Sequence, residues 1–176
     1  MQLRFPNRLV TSVTEGYENG MDLPYLSPLT AKQQAQFGLS ETWPLALADR
    51  VRFAEIDRQN HANNAAYMTW FETARLQYFQ DWGMLNGRPD DPHFVLRRAE
   101  IDYLEALRLG DDYVTTVACK SFRTSSFTLG CVLWANGRLA ARFSGVIVLL
   151  APDGGKKAIP DTVRHRFETV DGAKAD

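Results

Sequence analysis

The feature that most constrains the fold is a segment of 18 residues, 65–82, in which apolar residues recur at spacings of four, three, four and four. These residues are Tyr67, Phe71, Ala74, Tyr78 and Trp82. The spacing predicts an α-helix about 27 Å long with one apolar face. Asn63 or Asn64 can cap its start, and Gly83 can end it. Such a helix needs a second layer to cover it, so we interpret the stripe as core rather than as a cofactor site.

The second layer is predicted to be a sheet. Alternating or apolar runs indicate strands over residues 45–53, 94–104, 112–122, 126–135 and 138–150, and a short helix follows near residues 161–167. Asn136-Gly137 is typical of a two-residue turn between antiparallel strands. A tight turn would pair Trp134 with Leu139, Leu133 with Ala140, Val132 with Ala141 and Leu129 with Ser144. Both faces of this hairpin then carry apolar residues. One face would cover the helix, and the other would meet something else, such as a second subunit. A bulge near Gly130 or Gly145 would shift the register and change this arrangement.

The first 44 residues form a different region, because glycine, proline and polar residues alternate there without sustained periodicity. A short helix is predicted near residues 28–37, with Ser27 as N-cap, Pro28 in the first turn and Gly38 as the stop. We expect this extension to cover an edge or groove of the main domain or to line a substrate entrance. The predicted organisation is an extension (1–44), an α+β domain (45–170) and a flexible tail (171–176).

Composition excludes several classes of function. Twenty Lys and Arg against 21 Asp and Glu give a net charge of −1, which provides no general field for nucleic acid or an anionic membrane. The longest apolar run, 144–151, is far shorter than the roughly 20 residues that cross a bilayer, and the N-terminus lacks an apolar signal core, so we expect a cytoplasmic protein. Cys119 and Cys131 are expected to be buried thiols rather than a disulfide framework or a zinc site.

The candidate chemistry lies in residues 55–64, where a strand end, carboxylates, an imidazole and a helix start fall within ten residues. The unpaired N–H groups of a helix start can polarise a carbonyl, and a carboxylate beside them can attack or activate water. The alternative is purely structural. In that case Asp57 caps a turn, His61 is a surface residue, and the asparagines only cap the helix.

Two motifs resemble a known family. The run RVRFAEIDRQNHANNAAYMTWFETARLQYF, residues 50–79, is similar to the opening of hot-dog-fold acyl-CoA thioesterases of the 4-hydroxybenzoyl-CoA thioesterase type, V-R-[FYW]-x-[DE]-x-D-x-x-G-H-x-N-N-x-x-Y followed by E-x-A-R. The run IDYLEALRLGD, residues 101–111, resembles the family's h-x-Y-x-x-P-h-x-x-G-D, where h is apolar. The resemblance covers about residues 45–168. It departs at Asn60, where the family has glycine, and at Ala106, where it has proline.

This resemblance implies a hot-dog fold, in which a curled antiparallel sheet wraps a long central helix. It also implies homodimers or tetramers with sheets joined edge to edge and active sites at subunit boundaries. The implied reaction is hydrolysis of an acyl-CoA or acyl-carrier thioester, without a cofactor. Asp57 takes the place of the catalytic carboxylate, as general base or nucleophile, and the N–H near Asn64 polarises the thioester carbonyl. His61 is expected either to organise the loop or to bind substrate.

Further site residues follow from the same interpretation. Asn63 and Tyr67 are candidates for contact with the substrate. Arginine binds phosphate with paired donors, so the candidate contacts to the phosphates of coenzyme A are Arg97, Arg98, Arg123 and Arg138. Glu55 is expected to support the loop, and Glu72 is expected to pair with Arg75 or with the sheet.

Two other functions remain open from the sequence. A hot-dog hydratase or dehydratase would use an Asp and a His as an acid–base pair, in a motif resembling D-x-N-x-x-H. Here the spacing from Asp57 to His61 is four residues rather than five, which argues against that branch. A non-catalytic acyl-binding module would keep the cleft without turnover. The identity of the acyl group does not follow from these residues.

Overall fold

The computed structural model describes residues 23–176, so the first 22 residues of the predicted extension lie outside the described part. Within residues 23–176, three helices and six strands follow one another along the chain: α1 (Ala31–Gln36), β1 (Leu45–Arg50), α2 (Asn64–Asp81), β2 (His93–Tyr103), β3 (Asp112–Phe122), β4 (Ser126–Ala135), β5 (Arg138–Leu150), α3 (Asp161–Thr169) and β6 (Lys174–Ala175). A short 3-10 turn, Phe53–Glu55, lies between β1 and α2. None of the described helices is long and apolar enough to span a membrane.

The predicted long helix is confirmed as α2. Asn63 caps it by accepting a hydrogen bond from the Ala65 N–H, and Gly83 follows its end with a positive φ of 72°. Its apolar face is buried against the sheet, with Phe71 and Tyr78 fully covered. The aromatic stripe is therefore core, as predicted.

The strands form one open sheet in the order β1-β3-β4-β5-β2, with all neighbours antiparallel, while the short β6 pairs parallel with β3. One face packs on α2, which confirms the α+β hot-dog architecture. The two edges differ. β1 borders the arm that precedes it, whereas β2 is an 11-residue, mostly exposed strand paired only with β5 among the described residues.

The hairpin turn is confirmed, since Asn136 and Gly137 both have positive φ, at 52° and 69°. Trp134 pairs with Leu139 as predicted. Beyond that pair the predicted register is wrong by one residue, because Ala140 is bulged out of the ladder. The observed pairs are Leu133 with Ala141, Val132 with Arg142 and Leu129 with Gly145.

The bulge has a tertiary cause. The carbonyl of Ala140 accepts the N–H groups of both Leu104 and Glu105, at 2.9 and 3.0 Å, where the chain leaves β2. Those residues are distant in sequence, so turn chemistry alone cannot place the bulge. The bulge lies at Ala140, next to the turn, and not near Gly130 or Gly145.

The first helix starts later than predicted. Thr30, not Ser27, is its N-cap, and Thr30 and Gln33 form a reciprocal capping box. Pro28 is not helical because it bridges to Leu47 of β1. The preceding chain is therefore held extended along the sheet until Thr30.

The described part of the arm covers β1. The N–H groups of Leu26 and Leu29 donate to the carbonyls of Ala48 and Ala46, both at 2.9 Å. Apolar arm residues also pack on the face of the sheet turned away from α2, in a cluster comprising Leu23, Leu29, Phe37, Leu39, Ala46, Ala48 and Val114, with Trp43 and Trp134 against it. This side of the hairpin thus meets the arm, and the β1 edge is closed to another strand.

The C-terminal segment closes the far end of the core. Phe167 of α3 is fully buried, and Asp171 accepts hydrogen bonds from the Tyr78 hydroxyl and from the Cys119 N–H. Residues 171–176, expected to be a flexible tail, therefore include both this buried carboxylate contact and β6.

Both cysteines are buried free thiols, as predicted. Burial raises the pKa of Cys131 to about 12 and raises that of Cys119 as well. Neither thiol is therefore ionised near neutral pH.

Candidate active site

The chain between the 3-10 turn and α2 folds into a tight loop. The Asp57 N–H donates to the His61 carbonyl at 2.8 Å, and the Asn60 N–H donates to the Asp57 carbonyl at 3.1 Å. Asn60 has a positive φ of 61°. Asparagine tolerates this left-handed conformation better than most residues, so the turn is kept where the family has glycine.

The loop orients the Asp57 carboxylate. Its Oδ1 accepts the N–H groups of Gln59 and His61, at 2.8 and 3.2 Å. Within residues 23–176 no hydrogen bond involves its Oδ2, and the residue is half-buried. Asp57 therefore caps the turn with one oxygen, and its other oxygen has no partner within the described residues.

The start of α2 leaves one amide available beside this loop. The Ala65 N–H donates to the Asn63 side chain and the Ala66 N–H donates to the Asn63 carbonyl, both at 2.9 Å. The Asn64 N–H has no hydrogen-bond partner in the described part of the chain. Since the positive end of the helix dipole lies here, this N–H can stabilise a developing oxyanion.

Glu55 holds the loop and the helix start together. Its carboxylate accepts the Trp70 indole N–H at 2.8 Å and the Arg52 backbone N–H at 2.7 Å. Its carbonyl accepts the Asn63 N–H at 2.7 Å. One residue thus connects the end of β1, the helix cap and the body of the helix, which is the supporting role expected from the sequence.

A buried carboxylate extends this support. Asp49 is 7% exposed; its carboxylate accepts the Arg52 guanidinium at 2.8 Å and the Tyr113 hydroxyl at 3.4 Å. Burial and the nearby Asp49 charge raise the pKa of Tyr113. The phenol therefore stays protonated and serves only as a donor to Asp49.

The two sequence motifs contact each other. The Ala62 N–H donates to the Leu107 carbonyl at 2.8 Å. Val51 exchanges backbone hydrogen bonds with the Gly110-Asp111 turn, at 3.0 and 2.9 Å. The second motif is therefore a support for the loop carried by the first, and the replacement of proline by Ala106 leaves that contact in place.

A residue outside the predicted set lies against the helix start. The Tyr103 hydroxyl, at the end of β2, donates to the Asn64 carbonyl at 3.2 Å, and its side chain is 48% exposed. Tyr67 lies behind it, buried, with ring centroids 5.1 Å apart, and donates its own hydroxyl to the Glu105 carbonyl. Tyr103 is therefore the ring that faces the surface, and only its place in the second motif signalled it.

Two of the predicted arginines share a cavity. Arg97 and Arg123 line a cavity of about 180 Å³ with Ser126, Thr128 and the aliphatic side chains of Val146 and Val148. The Asp176 carboxylate also lines it, with its Oδ2 4.0 Å from the Arg123 Nε. Val146 and Val148 alternate along β5 with residues that face α2, so the cavity lies on the opposite face of the sheet. Arg97 occupies the bulge between Leu96 and Arg98, where β2 shifts register against β5.

The other two arginines lie elsewhere. Arg98 pairs with Glu100 at 3.1 Å, and Arg138 pairs with Glu105 at 3.3 Å, both at exposed positions. Of the residues predicted to be catalytic or to bind substrate, Asp57, His61, Asn63 and Asn64 share the loop–helix junction. In the part of the chain that the structure describes, no group of three His, Cys, Asp or Glu side chains is arranged to hold a metal ion.

Comparison with known proteins agrees with this architecture. Residues 51–167 match the model of the thioesterase-like superfamily. Among solved structures, a thioesterase-superfamily protein from Jannaschia sp. CCS1 is 37% identical, with a TM-score of 0.83 over 87% of this chain and 99% of that one. A thioesterase from Thermus thermophilus, solved with coenzyme A and zinc, is 33% identical, with a TM-score of 0.67 over 75% of this chain and 97% of that one.

A protein from Staphylococcus aureus, solved in complex with CoA, shares the fold at 17% identity, with a TM-score of 0.67 over 73% of this chain and 84% of that one. No sequence among the curated proteins matches the chain significantly. The chain belongs to the thioesterase-like superfamily and is a thioester hydrolase.

Proposed function

We propose that the protein hydrolyses an acyl-CoA thioester to the free acid and coenzyme A at the junction of residues 57–64. The observation that carries this proposal is that Asp57 Oδ2 and the Asn64 N–H, on the same short loop–helix junction, both lack partners within the described residues. One is an anionic oxygen and the other is a donor at the positive end of a helix. Together they supply the two groups that acyl transfer from sulfur needs.

In the proposed reaction the thioester carbonyl oxygen accepts the Asn64 N–H. As a nucleophile adds to the carbonyl carbon, negative charge grows on that oxygen and is stabilised by the amide and the helix dipole. The carbon–sulfur bond then breaks and coenzyme A leaves as the thiolate, which takes up a proton from the water consumed in the hydrolysis. No step in this sequence requires a cofactor.

Asp57 can serve in either of two ways. As a general base, Oδ2 takes a proton from water, and the resulting hydroxide adds to the carbonyl carbon. As a nucleophile, Oδ2 attacks the carbon directly, expels the thiolate and leaves an anhydride that water hydrolyses. The two routes need the same orientation of the carboxylate, which the hydrogen bonds to Oδ1 supply.

His61 and Asn63 are proposed to border the substrate rather than to react. The His61 carbonyl accepts the Asp57 N–H, and the His61 N–H donates to Asp57 Oδ1. The His61 imidazole makes no hydrogen bond to residues 23–176. The Asn63 side-chain oxygen caps the helix, so the side-chain NH₂ group is the part that can donate to a ligand. Tyr67 supports the site from behind Tyr103.

We further propose a homodimer joined through the exposed edge of β2. This edge is 11 residues long, while the opposite edge, β1, is covered by the arm. An exposed edge strand with unpaired backbone groups is a template for pairing. Antiparallel pairing of two β2 strands over their full length would place Arg97 of one chain opposite Ala99 of the other, near the two-fold axis. A tetramer would additionally use the outer face of the sheet.

The Arg97 and Arg123 cavity is proposed to bind the phosphates of coenzyme A. The structure of the Thermus relative with coenzyme A supports this choice of thiol over a carrier protein. Replacing Arg97 or Arg123 with Gln should raise KM roughly tenfold and leave kcat nearly unchanged, because a charge-assisted hydrogen bond is lost away from the reacting atoms. Arg142→Gln, an exposed arginine on the same face, is the matched control. If the KM values of Arg97→Gln and Arg123→Gln equal that of the control Arg142→Gln, the proposed phosphate site is refuted.

The reaction itself is tested with a panel of acyl-CoA substrates and a thiol reagent. The wild type should release free CoA, and Asp57→Asn should lower kcat by about 10²–10⁴-fold while the unfolding transition is retained. Asp90→Asn, an exposed carboxylate elsewhere, should turn over normally. Near wild-type kcat in Asp57→Asn would refute the assignment. Consumption of enoyl-CoA without thiol would indicate a hydratase, and binding without turnover would indicate an acyl-binding module.

A further inference from the structure

The arginine cavity on the outer face of the sheet is lined by a carboxylate as well as by two cations. Asp176 lines it together with Arg97 and Arg123, and the Asp176 Oδ2 lies 4.0 Å from the Arg123 Nε. The Ser121 hydroxyl donates to the same carboxylate oxygen at 2.8 Å. Arg97 forms no ion pair with residues 23–176. One of the two arginines therefore faces an anion of the protein itself, and the other does not.

Backbone contacts place this carboxylate in the cavity. The short strand β6 pairs with the last two residues of β3, Ser121 and Phe122. The Asp176 N–H then donates to the Phe122 carbonyl at 2.9 Å, while the Asp176 side chain accepts the Ser121 hydroxyl. Two neighbouring residues of β3 thus hold both the backbone and the side chain of Asp176. The position of the carboxylate is therefore fixed by the fold and not by its attraction to Arg123 alone.

The segment that carries Asp176 is attached less firmly than the chain before it. Asp171 accepts hydrogen bonds from the Tyr78 hydroxyl and the Cys119 N–H, and Ala173 is buried. Residues 174–176, by contrast, are all exposed, and β6 pairs over two residues. Exposed segments with few buried contacts open at a low cost in free energy. Residues 174–176 can therefore leave β3 while the contacts of Asp171 stay in place.

A phosphate bound between the two arginines conflicts with this carboxylate. Arginine binds phosphate through paired N–H donors, and the carboxylate of Asp176 lies beside the Nε donor of Arg123. Two anions within about 4 Å repel each other, most strongly at low salt. A phosphate and the Asp176 carboxylate therefore compete for Arg123.

We propose that Asp176 is a built-in competitor for the phosphates of coenzyme A. Its carboxylate lies beside Arg123 in the free enzyme and leaves, together with residues 174–176, when a phosphate binds. Asp176 thereby determines how strongly the enzyme distinguishes a coenzyme A thioester from a thioester that lacks the nucleotide. This inference rests on the phosphate site of the proposed function and adds the group that sets its affinity.

The first test compares two substrates with the same acyl group, one carried on coenzyme A and one on pantetheine, which has no phosphate. Asp176→Asn removes the charge but keeps an oxygen that accepts the Ser121 hydroxyl. The variant should lower KM for the coenzyme A thioester about fivefold relative to KM for the pantetheine thioester, and this effect should shrink at high salt. Asp90→Asn, an exposed carboxylate outside the cavity, is the matched control and should leave the ratio of the two KM values unchanged.

The second test follows the displacement itself by NMR. The amide resonances of Ala175 and Asp176 are recorded in ¹⁵N-labelled protein during a titration with coenzyme A. Both should move to positions typical of unstructured residues at saturation, because their contacts with β3 are lost. The Ala173 amide, which donates to the Phe167 carbonyl at 2.8 Å, should keep its folded position.

The outcomes separate this inference from the proposed function. If Arg97→Gln and Arg123→Gln raise KM for the coenzyme A thioester but Asp176→Asn leaves the KM ratio unchanged or raises it, the competitor is overturned and the phosphate site stands. If none of these three variants changes the ratio, the phosphate site is overturned, and the competitor with it. Amides of residues 175 and 176 that keep their folded positions in the saturated complex overturn the displacement. Near wild-type kcat in Asp57→Asn, by contrast, overturns the reaction centre alone.

Discussion

The structure makes Glu55 the residue on which the geometry of the site depends most. Glu55→Ala removes the acceptor for the Trp70 indole N–H and for the Arg52 backbone N–H. Trp70 is 4% exposed, so its N–H would lose its partner without full access to water. Two hydrogen bonds to a charged group contribute about 2–4 kcal/mol together once the partial exposure of Glu55 is allowed for.

The assay is urea denaturation followed by tryptophan fluorescence and circular dichroism. The free energy of unfolding of Glu55→Ala should fall by about 2–4 kcal/mol, and that of Glu55→Gln by roughly half as much, because one carbonyl oxygen still accepts. Glu100→Gln, which breaks an exposed pair with Arg98, should cost under about 0.5 kcal/mol.

Turnover gives the second measurement on the same variants. Because the Glu55 carboxylate ties the turn that precedes the Asp57 loop to Trp70 of α2, Glu55→Ala should lower kcat at least tenfold with a smaller change in KM. A loss of stability under about 0.5 kcal/mol together with unchanged kcat would refute the reasoning. It would mean that the network around Glu55 does not hold the loop.

Two further variants test the core. Gly145→Ala should lose about 1–3 kcal/mol in the same denaturation assay, because the new methyl group overlaps the Phe143 ring; unchanged stability would contradict this packing. Burial raises the pKa of Asp171 to about 6, so the folded state binds that proton more tightly than the unfolded state, and stability should fall as pH rises from about 4 to 6. Asp171→Asn keeps acceptors for Tyr78 and Cys119, so this slope should vanish and the variant should be about 1–2 kcal/mol more stable above pH 6, after discounting for partial exposure. An unchanged slope would assign the pH dependence to other groups.

Local chemistry made several elements predictable. Positive φ at two successive positions restricts the residues of a tight hairpin turn, so Asn136-Gly137 marks it. The boundaries of α2 follow from Asn63 at its cap and Gly83 after its end. The positive φ of Asn60 is likewise a property of one residue in one turn.

The misplaced features depend on contacts between distant segments. The bulge at Ala140 exists because the chain leaving β2 donates two N–H groups to one carbonyl. Pro28 bridges to Leu47 instead of starting a helix. A second bulge in β2 separates Arg97, which lines the cavity, from its neighbour Arg98, which pairs with Glu100. No local sequence pattern shows which of two adjacent arginines lines a cavity and which forms a surface ion pair.

In the candidate site, too, local features could be predicted, whereas features that depend on contacts between distant segments could not. The motif around Asp57 and Asn64 could be recognised because its residues are contiguous, and their hydrogen bonds lie within one loop. Tyr103 could not be assigned, because its place beside Asn64 depends on where β2 ends relative to α2. The inward turn of Arg75 likewise depends on the aromatic ring of Phe143, which another strand supplies.

The most direct measurement is a crystal structure of the protein with a non-hydrolysable acyl-CoA analogue. We predict that the analogue's carbonyl oxygen lies about 2.8–3.1 Å from the Asn64 nitrogen, with Asp57 Oδ2 facing the carbonyl carbon directly or through one water. An analogue bound with its carbonyl away from the Asn64 amide, or with Asp57 on the solvent side of the loop, would contradict the assignment of this junction as the reaction centre.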